Sequence, residues 1–567
     1  MDGPQPRYGT GRGRGDGGLA GGVAVFGGRC RADSAAATSP TSAPSWFGPL
    51  ALRHLDDISW RESRAGVRTR RWRPPGGALG FTDVPEAMSE DDLRVRAAVE
   101  LNRQAPLLRE VGALFEAAGH QLYLVGGSVR DAVLARLTTD LDFTTDARPE
   151  AVQAIMRPWA DALWDTGIDF GTVGVGKAGQ RLEITTFRAD SYDQVSRNPQ
   201  VRFGDSLEED LVRRDFTANA MAVRITADGP GEFCDPLGGL AAVRRGVLDT
   251  PAAPEVSFGD DPLRMLRAAR FVSQLGFVVA ERVREAIVAM APQLSRITVE
   301  RVAVELDKML LGADPVAGVE LMVQTGLGDV VIPEIGAMRM AIDEHHQHKD
   351  VYQHSLTVLR QAIALEDEPD LVLRWAALLH DIGKPATRRH ETDGGVSFHH
   401  HEVVGAKMVR KRLRALKYSK QMVDDVSQLV YLHLRFHGYG DGAWTDSAVR
   451  RYVTDAGPLL PRLHKLVRAD CTTRNRRRAA LLQANYDSLE QRIAELAAKE
   501  DLARVRPDLD GNAIMELLDI PPGPQVGEAW KHLKEVRLDR GPLSREEATE
   551  ELLAWWRERN APGGPRV

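Results

Sequence analysis

The reading of the fold turns on Tyr123-Leu-Val-Gly-Gly-Ser-Val-Arg-Asp-Ala-Val-Leu-Ala-Arg-Leu-Thr-Thr-Asp-Leu-Asp-Phe-Thr-Thr-Asp146. The apolar run Leu122 to Val125 has the length of a buried strand. Gly126 and Gly127 break the pattern, and without Cβ atoms they permit a tight turn and close approach of backbone N–H groups to a ligand. A helix is expected over roughly Val129 to Leu137, its N-terminal amides facing the same place and favouring phosphate. A second strand should carry Asp140 and Asp142. Residues i and i+2 of a strand share a face roughly 7 Å apart, so these carboxylates can converge on hard divalent cations. A phosphate cradle beside metal-binding carboxylates is what phosphoryl or nucleotidyl transfer needs. The plainer alternative is a glycine turn before a surface helix with two solvated aspartates.

Outward from this stretch, the composition sets limits. The 567 residues suggest about three or four domains. With 43% hydrophobic and 27% charged residues the chain has an ordinary globular composition. A formal net charge of −6 means that a nucleic-acid partner must be met by local basic patches. Cys30, Cys234 and Cys471 stand too far apart for a disulfide framework or a zinc cluster, which points to a reducing, cytoplasmic compartment. No apolar run approaches the ~18 residues of a membrane span, and the N-terminus lacks a signal-peptide core.

Residues 1–87 are rich in Gly, Arg, Ala, Ser and Pro and are expected to be disordered. Their Arg-Gly repeats could touch RNA, although a tail without a role is the simpler reading. Met88 is a candidate start of the folded unit, Ser89 a helix N-cap, and apolar periodicity follows through Ala98, Leu101, Leu107, Val111 and Leu114. Residues 88–250 should form an α+β head with a small mixed sheet. Val173 to Lys177 and Arg181 to Phe187 read as strands, and Glu183 is either a third acidic group beside the aspartates or a solvated strand residue. Residues 188–210 read as a polar loop. In Arg213-Arg-Asp-Phe-Thr-Ala-Asn-Ala220, Arg214, Asp215 and Asn219 fall within little more than one helical turn, with Arg suited to phosphate and Asp and Asn to ribose hydroxyls.

Beyond residue 250 the pattern is nearly all helical. In Gly259-Asp-Asp-Pro-Leu-Arg-Met-Leu-Arg-Ala-Ala-Arg-Phe271, Asp261 and Arg264 are placed at i, i+3 on one helical face, with Arg267 and Arg270 extending a basic stripe. A carboxylate beside a guanidinium complements the donor and acceptor edge shared by cytosine and adenine, and leaves unpaired polar groups against uracil and guanine. A solvated salt bridge is the plain alternative. Farther on, His354, His380-Asp381, His401, His433 and Asp470 lie on helices and can hold a transition metal. Lys407 to Lys420 and Arg474 to Arg478 are dense in basic residues that suit a phosphate backbone or simply a solvated helix face.

Gly126-Gly-Ser-Val-Arg-Asp131 with Asp140-x-Asp142 resembles the first motif of the nucleotidyltransferases that build tRNA CCA ends and of bacterial poly(A) polymerases. Arg213 to Ala220 resembles the second motif of that family. Asp260 to Arg264 resembles its nucleotide-selecting Glu-Asp-x-x-Arg, with Asp260 in place of the usual Glu. His380-Asp-Ile-Gly-Lys384 resembles the HD phosphohydrolase signature, with His354, His380, Asp381 and Asp470 at its usual ligand positions and His401 and His433 at those of its extra histidines. Asp510 to Gly527 is similar to the family's tail element.

The resemblance implies a nucleotidyltransferase head, a helical neck over 251–340, an HD domain over 341–480 and a helical tail over 481–567. The implied activity is template-independent addition of CMP and AMP, from CTP and ATP, to a tRNA 3′ end. Asp140 and Asp142 would hold Mg²⁺, joined at most by Glu183. Gly127 and Arg130 would bind the triphosphate. Arg214, Asp215, Asn219, Asp261, Arg264, Arg267 and Arg270 would bind the nucleotide. The rival readings are a poly(A) polymerase, an HD phosphohydrolase whose head only binds nucleotide, and a plain RNA-binding protein.

Overall fold

The computed structural model describes residues 88–560 apart from 166, 169–170, 189–202, 205, 340–349, 393–394, 439–443, 474 and 503–504. It also describes a two-residue antiparallel ladder, Arg61–Glu62 with Arg68–Thr69, in a separate N-terminal unit. The remainder of the 1–87 segment therefore lies outside the described residues.

Ser89 opens the first helix, Glu90–Asn102, as expected. Its hydroxyl accepts the Asp92 N–H at 3.1 Å, and the Asp92 carboxylate accepts the Ser89 N–H at 2.8 Å. Such reciprocal capping satisfies two amides that would otherwise have no partner. A second helix, Ala105–Ala117, buries Leu108, Val111 and Phe115.

The head is a seven-stranded mixed sheet. In chain order its strands are β1 (Leu122–Val125), β2 (Asp140–Thr145), β3 (Ala162–Trp164), β4 (Thr172–Lys177), β5 (Gln180–Thr186), β6 (Ala222–Thr226) and β7 (Gly229–Cys234). Their spatial order is β3-β4-β5-β2-β1-β6-β7. Only β2 and β5 pair in parallel, with Asp140 opposite Arg181 and Asp142 opposite Glu183. One face of the sheet is closed. Leu141, Phe143, Leu182, Ile184, Val173 and Val175 are all buried in the main core. The other face carries Asp140, Asp142, Arg181 and Glu183, and none of the four is buried.

The helix after the glycine turn differs in extent from the expected one. It runs over Gly127–Val133, starting at the turn itself, and stops early because Ala135 takes a φ of +54°. The expected loop 188–210 ends in a helix, Leu207–Val212, capped by the Ser206 hydroxyl. Glu209 and its acidic neighbours occupy the first turn of that helix, where the dipole favours them. The middle of that loop, 189–202, lies outside the described residues.

From residue 254 the chain is helical in long runs, including Pro254–Asp260, Leu263–Leu275, Val299–Leu310, Val351–Ile363, Leu371–Leu379, His401–Ala415, Lys420–Leu432 and Leu460–Ala469. One continuous apolar core runs from Leu93 to Leu502. The helices Gly511–Leu518, Pro524–Arg540 and Arg545–Arg559 enclose a separate small core around Ile514, Leu533 and Leu552. No helix among the described residues is long and apolar enough to cross a membrane.

Candidate functional site

Strand alternation puts Asp140 and Asp142 on the open face while Leu141 and Phe143 turn inward. Neither carboxylate has a hydrogen-bond or salt-bridge partner among the described residues, so both present free oxygen donors. The backbone that carries them is anchored by Ser128, a residue the sequence reading passed over. Its hydroxyl accepts the Asp142 N–H at 2.9 Å and donates to the Asp140 carbonyl at 3.4 Å. The only signal for it was its place directly after the Gly-Gly pair.

Gly126 has φ +67° and ψ −132°, a conformation closed to other residues without strain. A Cβ there would lie 2.8 Å from the Arg214 guanidinium and 3.9 Å from the Asp142 carboxylate. The turn therefore lies in van der Waals reach of the carboxylate, and the first amides of the following helix open beside it. Although Asp142 keeps access to solvent on the open face, the protein atoms crowded around its carboxyl strip part of its hydration and raise it above its ordinary value, opposed by Arg214 and reinforced by Glu183. Glu183 lies directly across from Asp142, and Arg181 binds its carboxylate at 2.8 Å.

Arg214, Asp215 and Asn219 come together, but not on a helical turn. Arg214 follows the helix Leu207–Val212, and Asn219 ends a 3₁₀ turn, Thr217–Asn219. Arg214 donates to the buried Asp210 at 2.9 Å. Asn219 accepts from Arg130 at 2.6 Å and donates to Asp215 at 2.9 Å. Asp215 receives Arg267 at 2.8 Å, and Arg270 binds the buried Glu305 at 3.1 Å, which Arg267 approaches at 4.0 Å. Arg130, Arg267 and Arg270 also surround the Phe271 ring, with guanidinium carbons 5.1, 5.7 and 4.2 Å from its centroid. Burial alone would raise the Asp215 carboxyl, but Arg267, Asn219, Arg264 and Arg270 hold it far below its usual range. Burial and the neighbouring Arg267 bring Arg270 down to about 10. A chain of buried charges thus joins the glycine turn, the second motif and the neck helix.

The nucleotide-selecting pair needs a correction. Asp261 and Arg264 do not share a helical face. Asp261 sits between the helices Pro254–Asp260 and Leu263–Leu275, in extended conformation, because Pro262 follows it and disfavours helical dihedrals there. One of its oxygens caps the Leu263 N–H at 3.1 Å and the other accepts Arg301 at 2.7 Å. Arg264 is buried and donates to the Ser257 hydroxyl at 2.9 Å. The basic residues of this helix are likewise no solvated stripe. Arg264 and Arg270 are buried, and Arg267 is partly so.

A second constellation lies among the later helices. His354, His380 and Asp470 draw three ligand atoms within 4.8 Å of one another, and so do Asp381, His401 and His433. Asp381 joins the two groups. Its Oδ2 is 3.4 Å from His354 and 3.2 Å from His380, while its Oδ1 is 3.2 Å from His401 and 3.8 Å from His433. The outer nitrogens are fixed from behind. Nδ1 of His380, His401 and His433 meets the carbonyls of Ala377, Phe398 and Val430 at 2.9, 2.8 and 2.6 Å, and Nδ1 of His354 meets the Thr472 hydroxyl at 3.2 Å. This arrangement aims every Nε2 inward, as metal-binding imidazoles are aimed. Nε2 of His401 and of His433 is buried without a well-formed hydrogen bond. Burial and His380 depress His433 to about 3, so its ring is neutral and can donate a lone pair. Burial would lower His380, but Asp381 outweighs it and raises the ring to about 8. Lys384, also absent from the predicted ligand set, lies 2.6 Å from Asp381 Oδ2. Its signal was its place three residues after the aspartate.

The donor chemistry fits divalent ions in both places: oxygen donors in the head, imidazole with carboxylate in the helical site. The family described as "Poly A polymerase head domain" matches residues 122–249. "Probable RNA and SrmB- binding site of polymerase A" matches 276–338, and "HD domain" matches 351–497. The CCA-adding enzyme of Geobacillus stearothermophilus is 32% identical over 445 residues, covering 78% of this chain and 94% of that one. The chain belongs to the CCA-adding tRNA nucleotidyltransferase family. An A-adding tRNA nucleotidyltransferase of Deinococcus radiodurans is 34% identical over 421 residues, covering 73% and 91% of the two chains. Among solved structures, the Bacillus stearothermophilus CCA-adding enzyme in complex with CTP superposes with a TM-score of 0.58 at 29% identity, covering 80% of this chain and 97% of that one. Membership of the CCA-adding family accounts for the order of parts: a mixed α/β head, then helices, then the HD histidines.

Proposed function

We propose that this chain adds CMP, CMP and AMP, from CTP and ATP, to the 3′ end of tRNA without a nucleic-acid template. The observation that carries the reading is the Asp140–Asp142 pair on the open face of the sheet, without a hydrogen-bond or salt-bridge partner among the described residues, beside a turn that only glycine fits and a cluster of arginines. The likeness to CCA-adding enzymes supports it. Gly127, Arg130 and Arg214 bind the triphosphate. Asp215 and Asn219 face the sugar and hold Arg130 and Arg267 in place. Asp261 and Arg264 read the base edge. The carboxylate has about four acceptor positions, so capping Leu263 and pairing with Arg301 still leave room for an exocyclic amine. Mg²⁺ held by Asp140 and Asp142 would supply the acidity that lowers the pKa of the primer hydroxyl and the charge that offsets departing pyrophosphate. Glu183, engaged by Arg181, tunes Asp142 from the next strand.

The test uses purified protein, a tRNA lacking its CCA end and a second tRNA ending in CC, with each NTP alone and together. CTP and ATP should extend the first tRNA by three nucleotides. Extension of the second tRNA alone would favour terminal A addition, the second reading, which the Deinococcus relative motivates. Long A tracts would favour a poly(A) polymerase. Shortening the 192–204 segment should leave CC addition intact and block the final A, because one fixed base-reading pair must serve two bases of different size and this polar stretch of sequence between the head motifs is suited to reposition it. Equal loss of both steps would reduce the segment to a support of the fold.

The proposed division is 1–87 as an extension, 88–250 head, 251–340 neck, 341–480 HD domain and 481–567 tail, in a cytoplasmic enzyme. A chain beginning at Met88 is expected to keep its melting temperature and its addition rate, because the capping box at Ser89 starts the packed core. Insolubility or lost tRNA binding would give the extension a role.

The HD constellation should bind a transition metal and hydrolyse a phosphomonoester or a 2′,3′-cyclic phosphate. His354, His380, Asp470 and Asp381 would form one ligand group and Asp381, His401 and His433 the other. His380→Ala with Asp381→Ala should remove hydrolysis and spare nucleotide addition. No hydrolysis by the wild type with Mn²⁺, Ni²⁺, Co²⁺ or Mg²⁺ would make the cluster structural.

A further inference from the structure

The open face of the sheet does not end at the carboxylates. Cα partners across neighbouring strands place Asp142, Glu183, Gly174 and Trp164 in one row, and Asp140, Arg181, Gly176 and Ala162 in the next. Directly opposed residues share a face. Trp164 therefore belongs to the same face as Asp142, three strands away, or roughly 14 Å at the usual strand spacing.

Its indole lies flat on that face. A Cβ on Gly174 would fall 1.8 Å from the indole nitrogen, and one on Gly176 would fall 3.2 Å from the six-membered ring. The two glycines leave bare backbone as a floor. The Arg181 guanidinium reaches across Gly176 to within 5.4 Å of the ring centroid, and its side chain is 57% exposed. Arg181 spends part of its donor set on Glu183, and a guanidinium has five N–H donors.

The position of this pair relative to the reaction follows from its stereochemistry. Attack and departure are roughly in line in phosphoryl-group transfer. Under the proposed function, on which this inference rests, Gly127, Arg130 and Arg214 hold the triphosphate on the β1 side of Asp142. The leaving pyrophosphate occupies that side, so the attacking 3′-hydroxyl must arrive from the β5-β4-β3 side. A flat aromatic ring beside an exposed guanidinium is what an unpaired stretch of RNA meets on such a path: base stacking for the one, phosphate attraction for the other.

We propose that Trp164 and Arg181 form the landing for the primer strand of tRNA, with an unpaired base upstream of the 3′-hydroxyl stacked on Trp164 and a backbone phosphate on Arg181. Both are positioning residues that align the hydroxyl without touching the reacting atoms.

Trp164→Leu should raise KM for tRNA by roughly tenfold to a hundredfold, the range of one lost base stack, and leave KM for CTP and ATP unchanged. Trp164→Phe should restore most of the affinity. Gly174→Ala keeps the indole but forces it off its floor, so it should reproduce the Leu phenotype. Arg181→Gln should weaken tRNA binding and reduce the salt dependence by about one counterion. This last substitution is at an exposed side chain, so it tests the landing even where a Trp164 variant fails to fold. Unchanged KM for tRNA in all soluble variants would overturn the inference, as would a parallel rise in KM for CTP or a fall in melting temperature alone. Wild-type protein that extends tRNA while the variants match it removes the landing only. Wild-type protein that extends no tRNA removes the proposed function and this inference with it.

Discussion

Asp140→Ala and Asp142→Ala should each abolish nucleotide addition while leaving tRNA binding nearly intact. Both carboxylates stand on the open face without a hydrogen-bond partner among the described residues, so neither contributes a contact to the fold that alanine would forfeit. What alanine removes is a charge where cations must sit, and an interaction made chiefly in the transition state appears in kcat. Loss of two to three orders of magnitude or more is expected from such a deletion. More than about a tenth of wild-type turnover in either variant would refute the assignment. The pH profile adds a second check. Partial loss of hydration and Glu183 raise the Asp142 carboxyl, so its active ionised form is lost sooner on acidification than for an ordinary aspartate. Replacing Glu183 by Gln removes one of those raising influences and should extend activity further into the acid range.

Asp261→Ala should change which nucleotides enter. The variant is expected to accept UMP or GMP and to lose CMP and AMP incorporation. A good polar contact to a base edge is worth about 1–3 kcal/mol, so discrimination should fall roughly tenfold to a hundredfold. The structure adds a partner that sequence spacing did not supply. Arg301 holds the Asp261 carboxylate at 2.7 Å, and Arg264 is fixed separately by Ser257. Arg301→Ala should therefore soften base choice while leaving the triphosphate contacts alone, and Ser257→Ala should do the same through Arg264. Unchanged selectivity in Asp261→Ala would move base reading to other residues.

The parts of the site that were legible in the sequence are those governed by short-range periodicity. The alternation at Asp140 and Asp142, the glycine turn and the Ser89 cap depend on residues two or three positions apart, and the structure has all three. The His354, His380, Asp381 and Asp470 group was legible through its resemblance to a known signature, and its atoms do converge. Asp261 and Arg264 were misplaced because a helical period was extended through Pro262, which a helix can begin with but not continue through. The second motif was read as one helical turn, whereas a 3₁₀ turn brings Asn219 back to Asp215 by a different route. Ser128, Glu305, Arg301 and Trp164 were invisible for one shared reason. Each acts through a partner distant in sequence or through the backbone of a neighbouring strand, and no spacing rule reports such contacts.

The run of polar and charged side chains from Arg130 through Asn219, Asp215, Arg267 and Glu305 to Arg270 has a consequence for how such a protein can change over generations. Removing one member of a buried ion pair costs about 3–5 kcal/mol, because its partner is left charged in a poor solvent. That is a large fraction of the 5–15 kcal/mol that keeps a typical domain folded. A lineage that alters Glu305 alone strands the buried Arg270, and one that alters Asp215 alone leaves the half-buried Arg267 with only the more distant Glu305. Drift at these positions is therefore gated by epistasis. Random libraries over the six residues should yield active clones with compensating double replacements far above the frequency that the single replacements predict.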